Sequence, residues 1–344
     1  MRIAEIAPVW VPVPPPSYGG IELVVSLLAD GLTERGHDVT LFAGRGSHTA
    51  ATLVSPVERS NRLEDLGDDI TDEVVHALPA YLEAGDFDVI HDHTGLGTAL
   101  GAVLDNHPPV VHTLHGPWTD ASRRFFEAVS PPVHLIAISQ AQADGNPDVN
   151  YAGVVHNGLD LDAHPWSKEK DDYVVFLGRC NAEKGPEVAV EAANRAGVPL
   201  TIMIKRSEPQ EHAYWEEHVV PVLSGDERII FDTGHDEKVE LLGRARATLV
   251  PIQWPEPFGL VMIESMACGT PVIAMSRGAA PEIVDDGTTG FLVDDIDGMV
   301  EALGRVDSID PEACRDRVSE KFSADALVTG TERVLEEVVR TAHI

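Results

Sequence analysis

A largely apolar segment, EPFGLVMIESMACGTPVIA at residues 256–274, begins with Glu256 and contains a second glutamate, Glu264. Pro255 and Pro257 keep Glu256 out of regular helix, whereas apolar side chains around Glu264 would cover every face of a helix. Because a buried carboxylate without a partner is costly, Glu264 needs one. It could bind a vicinal diol such as that of a ribose, or it could be a core glutamate satisfied by the backbone or by an arginine.

The predicted helix in this segment begins near Phe258 or Gly259. The first amides of a helix have no partner within it, and they attract anions. The amides of Gly259 and Leu260 are therefore candidate donors to a diphosphate or to a sugar hydroxyl.

A second candidate site lies in LGRCNAEKGPE, residues 177–187, which we interpret as the end of a strand, a loop and the start of a helix. Arg179 can hold a phosphate through two parallel hydrogen bonds, and Lys184 adds a compact charge beside it. A solvated surface pair is the alternative. The neighbouring Gly178 and Gly185 favour a phosphate site, because glycine lets a ligand approach the backbone closely.

The segment SYGGIE, residues 17–22, also joins a predicted strand to a predicted helix. Gly20 could allow a ligand phosphate to approach the helix start, although a plain strand-to-helix turn fits equally well. The third glycine of a dinucleotide-binding motif is missing, so the segment does not support NAD binding.

Histidines end two predicted strands, VIHDHTG and VVHTLHG. Side chains alternate along a strand, so we do not expect His91, Asp92 and His93 to converge on a metal ion. His112 and His115 are three residues apart and point to opposite faces. His115, the last in its strand, is the better candidate to face a ligand.

Strand-like and helix-like segments alternate through the chain, which predicts an α/β fold with two doubly wound parallel sheets. A polar stretch, NGLDLDAHPWSKEKDD at 157–172, is interpreted as the linker between them. Ligands of such sheets bind beyond the carboxyl ends of the strands. We therefore expect the active site in a cleft between two facing domains.

The net charge of −32, from 57 acidic and 25 basic residues, argues against nucleic acid and against anionic membranes as partners. No apolar run is long enough for a membrane span, and the amino terminus does not resemble a signal peptide. Three cysteines without metal-ligand spacing favour a reducing compartment, so we expect a cytoplasmic protein.

Taken in their order, these segments resemble a retaining glycosyltransferase of family 4 with the GT-B architecture. The similarity rests on YGGIELVVSLLADGLTERGHDVTLFA, HTLHG, AIS, NGLD and LGRCNAEKG, and above all on EPFGLVMIESMACGTPVIA followed by GAAPEIVDDGTTGFLV. Glu256 and Glu264 have the spacing of the family's E-x7-E element. The resemblance covers nearly the whole chain.

The resemblance implies an acceptor-binding domain over residues 1–160, a donor-binding domain over 161–323 and a helix over 324–344 that crosses back onto the first domain. It implies a nucleoside diphosphate sugar as donor, with UDP preferred, and no metal or other cofactor. Transfer would retain the anomeric configuration, with the departing phosphate helping to deprotonate the acceptor.

The resemblance also assigns roles to individual residues. His115 would lie beside the donor sugar, Glu256 would contact its hydroxyls, and Glu264 would bind the ribose. The remaining members of the implied donor site are Gly20, Arg179, Lys184, Lys205, Phe258, Gly259 and Leu260.

One segment departs from the family pattern. Many members carry a glycine-rich turn where this chain has MIKRSEPQ. Lys205 and Arg206 either reach the nucleotide or cap the neighbouring helix, so uridine, guanosine and adenosine all stay open as the base.

Two other functions compete with sugar transfer. An oxidoreductase with two dinucleotide-binding domains is disfavoured by the missing glycine motif. A protein that binds nucleotide sugars on an inactive GT-B scaffold is disfavoured by the intact set of candidate site residues. The acidic segment SNRLEDLGDDITDEV in the first domain favours an uncharged acceptor, such as a small glycosylated metabolite or an oligosaccharide.

Overall fold

The computed structural model describes residues 1–16, 19–57, 71–130 and 132–342. The chain divides into two compact units: Met1–Gly158 with Ala324–Ile344, and Leu159–Ser323. Each contains one parallel sheet. Among the described residues, no helix has both the length and the apolar content that a membrane span requires.

The first unit contains a parallel sheet in the order β3-β2-β1-β4-β5-β6-β7. Its strands are β1 Arg2–Ile6, β2 Asp38–Phe42, β3 Thr52–Val54, β4 Val89–Asp92, β5 Val110–Thr113, β6 Val133–Ala137 and β7 Tyr151–Val154. Its helices are α1 Gly20–Glu34, α2 Thr71–Leu82, α3 Leu100–Val103, α4 Asp120–Val129 and α5 Gln140–Gly145.

The second unit contains a parallel sheet in the order β10-β9-β8-β11-β12-β13. Its strands are β8 Val174–Arg179, β9 Leu200–Lys205, β10 Arg228–Phe231, β11 Ala247–Val250, β12 Val272–Met275 and β13 Gly290–Val293. Its helices are α6 Pro186–Ala196, α7 Pro209–Tyr214, α8 His235–Arg244, α9 Leu260–Ala267, α10 Ala280–Ile283, α11 Ile296–Leu303 and α12 Pro311–Lys321.

The last helix, α13 Ala324–Ala342, belongs to the first unit and packs on α1. Leu28 of α1 and Leu335 of α13 lie in one buried cluster with Ile3 and Val111 of the sheet. A second cluster, on the other sheet face, contains Phe42. Helices thus cover both faces of the sheet, which confirms the predicted doubly wound class.

The predicted linker is packed rather than free. From Leu159 onwards it belongs to the second unit, where Leu159 and His164 are buried. The guanidinium of Arg315 donates to the carbonyl oxygens of both His164 and Leu161. The polar, aperiodic sequence predicts a free connector, but two of its backbone carbonyls accept hydrogen bonds from this one side chain of α12.

Candidate functional site

Basic side chains gather at the carboxyl ends of the first two strands of the second unit. Arg179 ends β8 and Lys205 ends β9, and the two residues are direct neighbours in register. Burial lowers the pKa of Lys205, and the adjacent charge of Arg179 lowers it further. Two like charges are therefore held side by side at the sheet edge where ligands of such folds bind.

Carboxylates hold Arg179 in place. Its Nε donates to Glu211 Oε1 at 2.7 Å, and its Nη2 donates to Glu208 Oε1 at 3.0 Å. Glu211 also accepts from the amides of Ser207 and Glu208. Burial opposes ionisation, but these bonds keep the pKa of Glu211 below its ordinary value. Neither glutamate was predicted, since no local pattern links the end of β8 to the start of α7.

Arg206, the other basic residue of MIKRSEPQ, is used in packing. Its guanidinium lies 4.3 Å from the centre of the Phe231 ring and 5.7 Å from that of Trp215. It also pairs with Glu216 at 3.6 Å. These contacts do not cap the neighbouring helix, and contact of Arg206 with the nucleotide stays a prediction.

Two further candidate residues of the second unit, Lys184 and Glu256, contact each other. Lys184 Nζ forms an ion pair with Glu256, which is 7% exposed. Trp254 Nε1 donates to the same carboxylate at 2.9 Å, and its ring lies 5.5 Å from the lysine nitrogen. Glu256 is thus fixed from two sides, directly before the loop that enters α9. Trp254 was not predicted to take part.

The backbone of Gly278 lies very close to the backbone of Glu256 and holds it in place. Gly278 has a φ of 55°, and a Cβ there would lie 2.3 Å from the carbonyl oxygen of Glu256. The amide of Ala279 donates to that same oxygen at 2.9 Å. Only glycine permits this contact, which sets the position of Glu256 beside the start of α9.

Helix α9 begins at Leu260, with Gly259 at its N-cap in a left-handed conformation. This agrees with the predicted start near Phe258 or Gly259. The expectation that α9 is buried on all sides is wrong: Met262 and Ile263 are buried, but Leu260 and Glu264 are only half-buried. Residues four apart share one helix face, so this less covered face carries both.

Glu264 has a partner that was not predicted. Lys238 Nζ of α8 lies 2.6 Å from Glu264 Oε1, and the two side chains are 20% and 13% exposed. Burial alone would raise the pKa of Glu264, but the charge and hydrogen bond of Lys238 and the nearby His164 keep it below its ordinary value. The partner is neither the backbone nor an arginine.

The first unit carries the histidine candidates. His91 and His93 share a face and both contact Glu5 of β1, at 3.1 and 2.6 Å. Asp92 points away and accepts from the Tyr81 hydroxyl at 2.7 Å. The structure therefore separates Asp92 from the histidines, as alternation predicts, but brings in Glu5 from the neighbouring strand.

Glu5, His91 and His93 offer ligand atoms within 4.8 Å of one another. Each is buried, and each nitrogen and oxygen involved already has a hydrogen-bond partner in this cluster. The contacts are those of a hydrogen-bonded network. Glu5 was not predicted to join the histidines, because only the register of β1 with β4 brings it beside them.

The other two candidate histidines, His112 and His115, differ in burial. His112 is buried, with its Nδ1 2.7 Å from the Thr98 hydroxyl. His115 is half-buried, and its Nε2 lies 2.8 Å from Nδ1 of His93. Burial lowers the pKa of His115 well below its ordinary value, and the neighbouring histidines add to this.

The first-loop candidate, Gly20, is the first residue of α1 and follows Gly19 at the N-cap. Ser17 and Tyr18 of the same motif lie outside the described residues, as does much of the acidic segment SNRLEDLGDDITDEV. Gly20 and His115 belong to the first unit, whereas the other candidates belong to the second. Arg179 and Lys205 lie at the carboxyl ends of neighbouring strands, and His115 follows the end of β5.

Comparisons with known proteins agree with this architecture. The model of Glycosyltransferase Family 4 matches residues 18–163, and that of Glycosyl transferases group 1 matches residues 161–306. D-inositol 3-phosphate glycosyltransferase of Mycolicibacterium smegmatis is 27% identical, over 93% of this chain and 87% of that protein.

Two solved structures share the fold. Sucrose-phosphate synthase from Thermosynechococcus elongatus has a TM-score of 0.81 at 21% identity, covering 99% of this chain and 100% of that one. Anabaena Alr3699/HepE in complex with UDP and glucose has a TM-score of 0.75 at 19% identity, covering 98% and 99%. The fold is GT-B, with two Rossmann-like domains.

Proposed function

The chain belongs to glycosyltransferase family 4, and on this basis we propose that it transfers a sugar from a nucleoside diphosphate sugar, with UDP as the nucleotide, to an acceptor hydroxyl. We further propose that transfer retains the anomeric configuration and uses no metal ion. The UDP bound by the structurally similar Anabaena protein supports the choice of nucleotide.

The observation that carries the proposal is the paired charge of Arg179 and Lys205 at the ends of β8 and β9. Glu208 and Glu211 already pair with Arg179, and a diphosphate would add anionic oxygens that both cations can contact. Lys184 joins them from the following turn. Because Glu208, Glu211 and Glu256 already hold Arg179 and Lys184, binding would cost little reorganisation.

This arrangement also supports a mechanism without metal. Fixed cations and the first amides of α9, at Gly259 and Leu260, would stabilise the charge that develops on the leaving diphosphate. The departing phosphate oxygen would then take the proton of the acceptor hydroxyl on the same face of the sugar. Transfer should accordingly proceed at the same rate in EDTA.

The half-buried face of α9 supports the ribose role of Glu264. Lys238 engages Oε1, and an ionised carboxylate has further lone pairs with which to accept two hydroxyls. Glu256 would contact the sugar hydroxyls, since Lys184 and Trp254 fix it just before the same helix. Phe258 is buried and would shape the loop that presents the amides.

Nucleotide binding is tested by thermal denaturation with UDP, GDP, ADP and NAD. We expect the largest rise in Tm with UDP, because a ligand that binds only the folded state stabilises it by mass action. Arg179→Met should abolish the shift. Arg195→Met, which removes an exposed arginine paired with Asp297, should preserve it. A shift with NAD and with none of the diphosphates would refute the proposal.

Transfer itself is tested by release of UDP from UDP-sugars in the presence of an acceptor panel. The panel should contrast D-inositol 3-phosphate, the substrate in the name of the similar mycobacterial enzyme, with uncharged glycosides. The acidic character of this chain favours the uncharged acceptors. Binding of UDP without turnover on any acceptor would instead indicate an inactive scaffold.

A further inference from the structure

The loop before α6 and the turn before α9 are joined through their backbones. The amide of Gln253 donates to the carbonyl oxygen of Glu183 at 2.8 Å. Gly185 has a φ of 64°, and a Cβ there would lie 2.7 Å from the carbonyl oxygen of Pro251. Only glycine permits so close an approach. The side chains that these two segments carry are therefore held against each other.

Two donors from these segments meet on one oxygen of Glu256. Lys184 Nζ and Trp254 Nε1 both donate to Oε2, the indole at 2.9 Å. The other oxygen, Oε1, has no hydrogen-bond partner among the described residues, and it is not sealed from solvent. Glu256 as a whole is 7% exposed. The carboxylate is thus held through one oxygen and presents the other.

Trp254 acts on the pair of Lys184 and Glu256 in two separable ways. Its N–H bonds the carboxylate, and its ring centre lies 5.5 Å from the lysine nitrogen, near enough for a cation–π attraction. The ammonium of Lys184 has three N–H groups, so it can donate to a second anion. Its bond to Glu256 would then weaken, and a buried carboxylate without a donor is costly. The indole N–H supplies the donor that remains.

We propose that Trp254 is a positioning residue for sugar transfer. Its indole N–H stabilises Oε2 of Glu256 when Lys184 turns part of its charge to the donor diphosphate, and it keeps Oε1 available to a hydroxyl of the donor sugar. This role rests on the proposed function, because the diphosphate is the anion that draws on Lys184. The contacts in the free protein do not depend on it.

Trp254→Phe separates the two contacts, because it keeps an aromatic ring beside Lys184 and removes the indole N–H. Lys184 is then the remaining donor to Oε2 of Glu256, so its ammonium is less available to a diphosphate. We expect the Kd for UDP, measured by calorimetry, to rise about tenfold, the scale of one hydrogen bond to a charged group.

The second unit offers a matched control in Trp166. Its ring also lies near a lysine, with Lys168 Nζ 5.8 Å from the ring centre, but no hydrogen bond of its indole is found among the described residues. Trp166→Phe is the same substitution beside the same kind of charge. It should leave the Kd for UDP unchanged.

A double-mutant cycle with Glu256→Gln distinguishes positioning from general support of the fold. Glutamine has no charge with which to retain Lys184, so the indole N–H has nothing to release. In the Glu256→Gln background, Trp254→Phe should therefore raise the Kd for UDP by less than about twofold, against about tenfold otherwise. The same factor in both backgrounds would make Trp254 a structural residue and overturn the proposal.

The indole N–H signals in the NMR spectrum give a second test without any change at Trp254. The indole signal that shifts most in Glu256→Gln identifies Trp254. In the wild-type protein, hydrogen exchange of this N–H should stay slow when UDP is bound, because the N–H remains on Oε2 of Glu256. Fast exchange of that proton in the UDP complex would refute the role.

UDP binding to the wild-type protein separates failure of this role from failure of the proposed function. If no nucleoside diphosphate binds, the proposed function fails and takes the role of Trp254 with it. If UDP binds, but Trp254→Phe binds it as tightly as Trp166→Phe does, the positioning role alone fails.

Discussion

Acid should destabilise the first unit well above the pH at which carboxylates titrate. His76, His93 and His112 are buried there, and burial lowers their pKa values to about 4, 4 and 3. In the unfolded chain a histidine has a pKa of about 6.5. As the pH falls below that value, the unfolded state binds protons that the folded state does not, so stability present at pH 7 is lost.

The size of the loss follows from proton linkage. Between pH 7 and pH 5.5, each of these histidines costs about 1.2 kcal/mol, and the three together cost about 4 kcal/mol. The lowered pKa of His115 adds to this loss, whereas Asp92, whose pKa burial raises to about 6, binds a proton in the folded state and offsets part of it. Domains are usually stable by about 5–15 kcal/mol, so the unit would become marginal near pH 5. Glu5, whose pKa is lowered to about 2, loses its contribution only at lower pH.

Hydrogen exchange measures this locally. After correction for the intrinsic pH dependence of exchange, the free energy protecting the amides of β1, β4 and β5 should fall by about 4 kcal/mol from pH 7 to pH 5.5. His76→Gln keeps a donor for the Ala7 carbonyl and should reduce the fall by about 1.2 kcal/mol. His212→Gln, an exposed substitution, should leave the fall unchanged. Protection that does not change over this range would refute the reasoning.

Two substitutions test close packing. Gly278 and Gly287 both have positive φ, but only at Gly278 would a Cβ meet backbone, at 2.3 Å. Gly278→Ala should therefore cost about 2 kcal/mol more than Gly287→Ala in urea unfolding, and equal losses would contradict the close approach. In α1, a Cβ on Gly31 would lie 2.6 Å from Val328 Cγ2 of α13. Gly31→Ala should destabilise the first unit, Val328→Ala in the same chain should recover part of the loss, and the idea fails if it recovers none.

Local sequence patterns were sufficient to predict most of the fold. The alternation of β-rich and amphipathic segments predicted two parallel sheets, and Pro186, Pro209 and Pro311 mark helix starts, as proline does at a first helical position. The short strands β3 and β7 were not recognised. They are edge strands of three and four residues with exposed or half-buried side chains, so they lack both length and a clear apolar pattern.

The sequence predicted individual candidate residues, but it did not predict which side chains they contact. Periodicity placed His91 and His93 on one face, yet only the register of β1 with β4 brings Glu5 opposite His91. Likewise, the burial of Glu264 demanded a partner, but Lys238 comes from a separate helix, 26 residues away in sequence. Such contacts depend on how elements pack, which composition and spacing do not encode.

The second unit is an insertion within the first. Its two ends meet, because the amide of Leu159 donates to the carbonyl of Phe322 at 3.0 Å, and the 19-residue α13 then completes the first unit. On the ribosome, the sheet of the first unit emerges early, but the apolar surface that receives Leu335 must wait until the whole second unit has been synthesised. The first unit thus depends on a helix that is made only after the second unit, and a chain released before α13 would expose that surface to chaperones and proteases.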